Sequence, residues 1–282
     1  MIYGFTGKAQ SGKNTCVKIW QVISQYNEIY HGDIMEQTKN AINDTNYPCL
    51  SYWQQKSFAH KLKEVVSVIT GCKIEDLEDN DFKNSLAPKF NGQYQYTYRE
   101  LLQFIGTDLF RNQLGENVWI NALFTGYEKP ITKAIKKTGG HLNSENQTEF
   151  PKWLVSDVRF QNEANAVKAR GGKIIRVIKI TDEIIKEACN VADRETSLKF
   201  NVDIDDLFLC NTEEEILKEE YEDEWNKFYD DYLYHQREDK HISETEQDDI
   251  ASDYTIIAHE GDIESLIKQT KDIMIKEGVI IN

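Results

Sequence analysis

Short apolar runs and longer amphipathic stretches take turns along this 282-residue chain. Met1 to Phe5 is apolar enough for a buried strand, and Val17 to Ile23 has the spacing of a helix with one apolar face. Tyr30 to Cys49 is polar and turn-rich, without clear periodicity. A second strand is predicted over Tyr52 to Phe58. A helix follows over Ala59 to Ile69, with Leu62, Val65, Val66 and Ile69 on one face and Gly71 as its stop. Ile74 to Gln95 reads as irregular, punctuated by Pro88, Asn91 and Gly92. Two helices are then predicted, Tyr98 to Asn112 and Asn117 to Tyr127, before a polar loop from Lys136 to Thr148.

Beyond that loop the alternation resumes. Trp153 to Ser156 is a predicted strand ending at Asp157, Gln161 to Arg170 a helix closed by Gly171-Gly172, and Lys173 to Ile178 another strand. Thr181 to Glu246 is charged, with Glu213 to Tyr234 its best helical candidate. A last strand, Tyr254 to Ala258, and a last helix, Ile263 to Ile275, complete the pattern. Strands alternating with helices predict an α/β fold with a mainly parallel central sheet covered on both faces. The predicted organisation is a core over residues 1–180, an acidic, partly helical insertion or lid over 181–246, and the core's final strand and helix over 247–282.

Charge sharpens this division. The formal net charge is −15, and 13 acidic residues against two lysines fall between Asp203 and Asp231. Such a balance argues against a duplex nucleic-acid surface, which needs a basic stripe. No apolar run approaches membrane-spanning length, so no membrane partner is expected. The first residues enter a strand directly, which leaves no room for a signal peptide. Five scattered cysteines without a CxxC pair read as reduced thiols in the cytoplasm.

The chemistry is concentrated between the first strand and the first helix. Gly7-Lys8-Ala9-Gln10-Ser11-Gly12-Lys13-Asn14-Thr15 has the spacing of a phosphate-binding loop, in the strand–loop–helix context such a loop requires. Its glycines let backbone N–H groups converge on an anion, and the helix N-terminus adds positive potential. Lys13 supplies an ammonium for terminal phosphates. Asn14 stands where Ser or Thr usually ligates Mg²⁺, with Thr15 one residue on.

Asp157 and Arg159 come off the end of a strand, where ligands bind in parallel sheets. The carboxylate suits a metal held through water, and the arginine suits a phosphate. The alternative is a pair of structural ions capping the next helix. Arg99 and Gln103 share a helix face, an arginine for an acceptor phosphate and a carboxamide for a base edge. Gly106 inside that helix implies close approach of a ligand or a neighbouring chain segment.

Taken together, these motifs resemble those of the phage-type deoxynucleoside monophosphate kinases, a branch of the P-loop nucleotide kinases. The likeness rests on Gly7 to Thr15, Ser57-Phe58-Ala59-x-x-Leu62-Lys63, Arg99 to Asp108, Trp119 to Leu123, Ser156-Asp157-Val158-Arg159-Phe160-x-Asn162-Glu163, and Gly171 to Val177. His241-x-Ser243-Glu244 follows in order. The resemblance implies a three-layer P-loop kinase fold and transfer of the ATP γ-phosphoryl group to a deoxynucleoside 5′-monophosphate. It implies ATP and Mg²⁺ as requirements, with Lys13, Arg159 and Asp157 catalytic and the metal supported by Thr15 and Asp157. Arg99, Gln103, Thr107, Asp108, Arg111, Trp119 and Glu163 would form the acceptor site. A homodimer and a cytoplasmic location, in a host cell if the gene is a phage's, are also implied. Arg194 and Arg237, flanking the acidic run, are candidate lid arginines. Two other readings are open: a P-loop kinase of another small metabolite, and a nucleotide-binding module without catalysis.

Overall fold

The computed structural model describes residues 1–29, 34–44, 51–90, 94–127, 131–133, 147–180 and 246–280. In chain order its elements are β1 (Ile2–Thr6), α1 (Lys13–Ile29), α2 (Ile34–Asn43), β2 (Trp53–Lys56), α3 (Ala59–Thr70) and α4 (Asn80–Asn84). Then come α5 (Tyr98–Gln103), a π-helical continuation over Phe104–Leu114, α6 (Val118–Phe124), the antiparallel pair β3 (Ile131–Lys133) and β4 (Gln147–Glu149), and β5 (Lys152–Val158). The chain closes with α7 (Gln161–Lys168), β6 (Lys173–Ile180), β7 (Tyr254–His259) and α8 (Ile263–Lys276).

The central sheet has five strands, all parallel, in the order β2-β5-β1-β6-β7. Period-two alternation sends neighbouring side chains to opposite faces. Tyr3, Phe5, Leu154, Ile175 and Val177 pack under α1 and α8 in one core, with Trp20 and Trp53. Ile2, Trp153, Val155 and Ile174 face the other core, with Phe124 of α6 and Val167 of α7. Burying both faces is what the near-continuous apolar strands require. A smaller cluster, Val66, Leu77, Tyr98, Leu101 and Ile105, ties α3 to α5 at one side.

Several expectations change. Tyr30 to Cys49 contains a helix, α2, where no periodicity was expected. Thr38 and Ala41 are buried there, and Ile34, Met35 and Ile42 pack on the first core, so a narrow apolar stripe lies within polar composition. The segment expected to be irregular, Ile74 to Gln95, holds the short helix α4 and a 3₁₀ turn over Asp76–Glu78. The helix expected from Tyr98 to Asn112 winds as π over its second part. Part of the expected loop from Lys136 to Thr148 pairs as strand, since Gln147–Glu149 lies opposite Ile131–Lys133. The acidic stretch, with Arg194, Arg237 and His241 to Glu244, lies outside the described residues. Among the described residues no helix is long and apolar enough to cross a membrane.

Because β1 lies between β5 and β6, and β5 between β1 and β2, the carboxyl ends of β2, β5 and β1 are adjacent. The sequence places its most reactive residues at those three strand ends.

Candidate active site

The loop after β1 is shaped by backbone that L side chains avoid. Gly7 has φ 137° and Gly12 φ 97°, and Gln10 is left-handed at φ 62°. A Cβ on Gly7 would lie 2.2 Å from the carbonyl oxygen of Val177, so glycine is obligatory there. Ser11 N donates to Lys8 O at 3.2 Å, and Cys16 N to Gly12 O at 2.9 Å as the first bond of α1. Ser11 is buried within the loop, whereas Ala9 and Gln10 are exposed. The chain therefore turns over the N-terminus of a 17-residue helix, with the helix dipole behind it.

Lys13 curls back across this loop. Its Nζ donates to Gly7 O at 2.6 Å, to Lys8 O and, at 3.4 Å, to Ser11 Oγ. Burial pushes the ammonium down to about 8, and the Arg159 guanidinium pushes the same way; Asp157 opposes both. Asn14 accepts from Gln55 Nε2 at 3.2 Å, and the same amide donates to Ser156 Oγ at 3.2 Å, so the loop is fastened to the ends of β2 and β5. The Thr15 hydroxyl makes no hydrogen bond to another described residue.

Asp157 caps a helix. Its oxygens accept from Ser57 Oγ at 2.7 Å, Phe58 N at 2.8 Å and Ala59 N at 2.8 Å. Helix α3 has no capping side chain of its own, and Asp157 caps it from another strand. Oδ2 accepts two of these bonds and Oδ1 one, which leaves a lone pair of Oδ1 for a metal-bound water. Among the described residues no group of three His, Cys, Asp or Glu is placed to hold a metal ion. The helix it caps is α3, across the sheet, and not the one that follows it in sequence.

Arg159 is exposed, and its guanidinium makes no hydrogen bond or ion pair with a described residue. It sits within electrostatic reach of Lys13 on one side and of Lys83 on the other. The Lys83 ammonium is lowered first by burial, then by Arg99, Lys63 and Arg159, with Glu78 opposing. Cations thus succeed one another from the loop past Arg159 to α4 and α5, with Asp157 and Glu78 offsetting part of their charge. Arg99, at the start of α5, is exposed; its Nε donates to Asn84 Oδ1 at 2.9 Å and its Nη2 to Asn80 Oδ1 at 3.5 Å. Gln103 and Thr107 are half-buried and Asp108 is exposed, and their side chains bond to no other described residue. They follow Arg99 along α5 and into the π-helix, a winding that is rare and frequent at functional sites.

Three of the expected acceptor-site residues are internal struts instead. Arg111 and Glu163 form a buried ion pair, their side chains 9% and 2% exposed. Glu163 also accepts from the backbone N–H groups of Arg159 and Phe160, at 2.8 and 3.2 Å, and Arg111 lies 3.7 Å over the Phe160 ring. Burial pushes the Glu163 carboxyl up to about 7; the Arg111 charge pulls it down and Asp157 adds to the rise. Trp119 is buried, donating from Nε1 to Gly106 O at 2.9 Å. Gly106 makes room for α3, since a Cβ there would lie 2.8 Å from Leu62 Cδ2 and push that side chain aside. Local spacing carries no sign that these residues face one another. Lys83 was the opposite omission: it lies in a segment that reads as irregular, and only its placement beside Arg99 marks it.

No family model matches the chain. Over 128 residues it is 30% identical to a protein of Acanthamoeba polyphaga mimivirus named "Putative deoxynucleotide monophosphate kinase". The match spans 44% of this chain and 59% of that relative's length.

Proposed function

We propose that this protein is a P-loop nucleotide kinase that transfers the γ-phosphoryl group of ATP to a deoxynucleoside 5′-monophosphate. The observation that carries the reading is the succession of cations from Lys13 through Arg159 to Lys83 and Arg99. A site that only gripped a triphosphate needs the loop and Lys13; a second cationic station beyond Arg159 suits a second phosphate. The name of the mimivirus relative agrees with this assignment.

In this reading the loop N–H groups and Lys13 hold the β- and γ-phosphates, Lys13 exchanging the carbonyls of Gly7 and Lys8 for phosphate oxygens. Mg²⁺ would arrive with ATP, carried by its phosphates and met by Thr15, and would neutralise charge between them. An oxygen of the acceptor phosphate attacks the γ-phosphorus, the bond to the bridging oxygen breaks, and ADP leaves. Arg159, between the two stations, stabilises the charge on the group in flight. Gln103, Thr107 and Asp108 line the way from the phosphate site to the acceptor's sugar and base. Such chemistry needs positioning and charge neutralisation more than covalent help.

The test is ADP release from ATP with each deoxynucleoside monophosphate as acceptor. One or more monophosphates should give the matching diphosphate, and Lys13→Met should abolish it. Turnover only with a non-nucleotide acceptor, or ATP binding without transfer to any acceptor, would refute the assignment.

A further inference from the structure

We propose that Lys83 is a direct ligand of the acceptor's phosphate, and that Asn80 and Asn84 are positioning residues that aim Arg99 at the same group. The proposal rests on the kinase reading for the identity of the acceptor, but its geometry stands separately.

Asn80 and Asn84 are one turn apart on α4, so their carboxamide oxygens rise from the same face. Together they take the Nε and Nη2 donors along one edge of the Arg99 guanidinium. A guanidinium has five donors, so its remaining edge keeps N–H groups for a second oxyanion. The choice of carboxamide matters. The chain has 48 acidic residues, yet the two that orient Arg99 are neutral. A carboxylate would give the same hydrogen bonds and cancel the charge; an amide orients the cation and leaves it whole for a dianion.

Lys83 lies between these two asparagines on α4. Of the four cations gathered there, Lys63 is bound by Glu78 at 2.6 Å. Lys83, Arg99 and Arg159 form no ion pair with a described carboxylate, although Glu78 acts on Lys83 without pairing with it. Arg99 and Arg159 together crowd Lys83 more than Glu78 relieves it, and a phosphomonoester among the three relieves that repulsion. The helix that carries Lys83 is tied to α5. Asp79 caps α4 by accepting from Phe82 N at 2.7 Å, Phe82 packs tilted against Tyr98 with ring centroids 4.5 Å apart, and Tyr98 N donates to Ser85 O at 3.0 Å. Lys83 and Arg99 are therefore held as one unit across α4 and α5.

The experiment is calorimetric titration of deoxynucleoside monophosphates into wild type, Lys83→Met, Lys83→Arg and Asn84→Asp, with KM for acceptor and ATP measured alongside. Lys83→Met should weaken monophosphate binding about tenfold or more, the loss of one charged hydrogen bond, and Lys83→Arg should restore most of it. Asn84→Asp should weaken binding about as much while melting at the same or a higher temperature, because it gains an ion pair with Arg99. KM for ATP should stay within about twofold, as the ATP loop is untouched. A purely structural role for Asn84 predicts that Asn84→Asp binds the monophosphate as wild type does. That result, or unchanged binding in Lys83→Met, overturns the proposal. Monophosphate binding that weakens as described without phosphoryl transfer would refute the kinase reading and leave the clamp standing. A wild type that binds no monophosphate would refute both.

Discussion

The Asp157 carboxylate accepts from the Ser57 hydroxyl at 2.7 Å, and the same group accepts from the N–H groups of Phe58 and Ala59. Residues a hundred positions apart thereby fix where α3 starts, and α3 in turn carries Leu62 against Gly106 of the π-helix. Asp157→Asn would set an NH₂ group against donors. We expect it to cost about 2 kcal/mol or more of stability, the scale of charge-assisted hydrogen bonds lost from a partly buried site. If activity falls as well, the loss should come through the position of α3. Raising Mg²⁺, or replacing it with Mn²⁺, should then rescue nothing. Urea denaturation and a metal titration of turnover check both halves; rescue by metal would restore the metal-anchoring role expected from sequence.

Lys13 gives a pH prediction with a definite sign. Its ammonium titrates at about 8 in the folded protein against 10.5 for an ordinary lysine, chiefly because it is buried. Between those values the unfolded chain holds the proton and the folded one has lost it, so stability should rise with pH across that window. Lys13→Met should flatten the slope. ATP should do the reverse of burial: triphosphate oxygens favour the charged form, so binding near pH 9 should take up a proton. Calorimetry in buffers of different ionisation enthalpy measures that uptake directly. Its absence in wild type would mean that the ammonium does not meet the phosphates.

What could be read from the sequence was local. Gly7 to Thr15 declares itself because strand, turn glycines, lysine and helix are consecutive, and the parallel sheet follows from apolar runs set between helical periods. What the sequence does not show are partners at a distance. Asp157 looks like a metal anchor because the N–H groups it caps lie at Phe58 and Ala59. Arg111, Trp119 and Glu163 look like acceptor-site residues because polar and aromatic groups in a nucleotide-binding motif suggest contact; their partners are Glu163, Gly106 O and Arg111 inside the protein. Helix α2 hides because five inward positions are scattered through a polar segment. Lys83 hides because α4 is too short for periodicity, and its meaning depends on Arg99, sixteen residues further on.

The Arg111–Glu163 pair separates a strut from a substrate ligand. Burial raises the Glu163 carboxyl to about 7, so the folded state holds a proton that the unfolded state has released from about 4.5 upward. Stability should therefore fall as pH rises through that window. Arg111→Met removes the charge that restrains the rise and moves the window higher. The variant should lose little at pH 5, where the carboxyl is neutral in both proteins, and about 3 kcal/mol or more near pH 8.5, where it must either protonate the buried carboxyl or hold it charged and unpaired. Denaturation at the two pH values tests this. An Arg111 that served the acceptor would instead leave stability nearly constant and raise the monophosphate KM.

Arg159 should show the converse behaviour, with catalysis lost and the fold kept. Its backbone is fixed by Glu163, through the 2.8 Å bond from its N–H, while its guanidinium is exposed and unpaired among the described residues. Removing that guanidinium strips away a surface cation that Lys13 and Lys83 both repel, so Arg159→Met should change stability by no more than about 0.5 kcal/mol. On the kinase reading, this group lies between two phosphate stations and contributes where charge develops during transfer. Turnover should therefore fall by about 10²–10³, as when one preorganised donor is lost from a transition state. Binding of each nucleotide measured separately should weaken far less than kcat. Arg159→Lys retains the charge but not the planar fork and should recover only part of the rate. Equal losses in kcat and in binding of both nucleotides would instead make Arg159 a ground-state ligand, and the cations from Lys13 to Arg99 a binding surface alone.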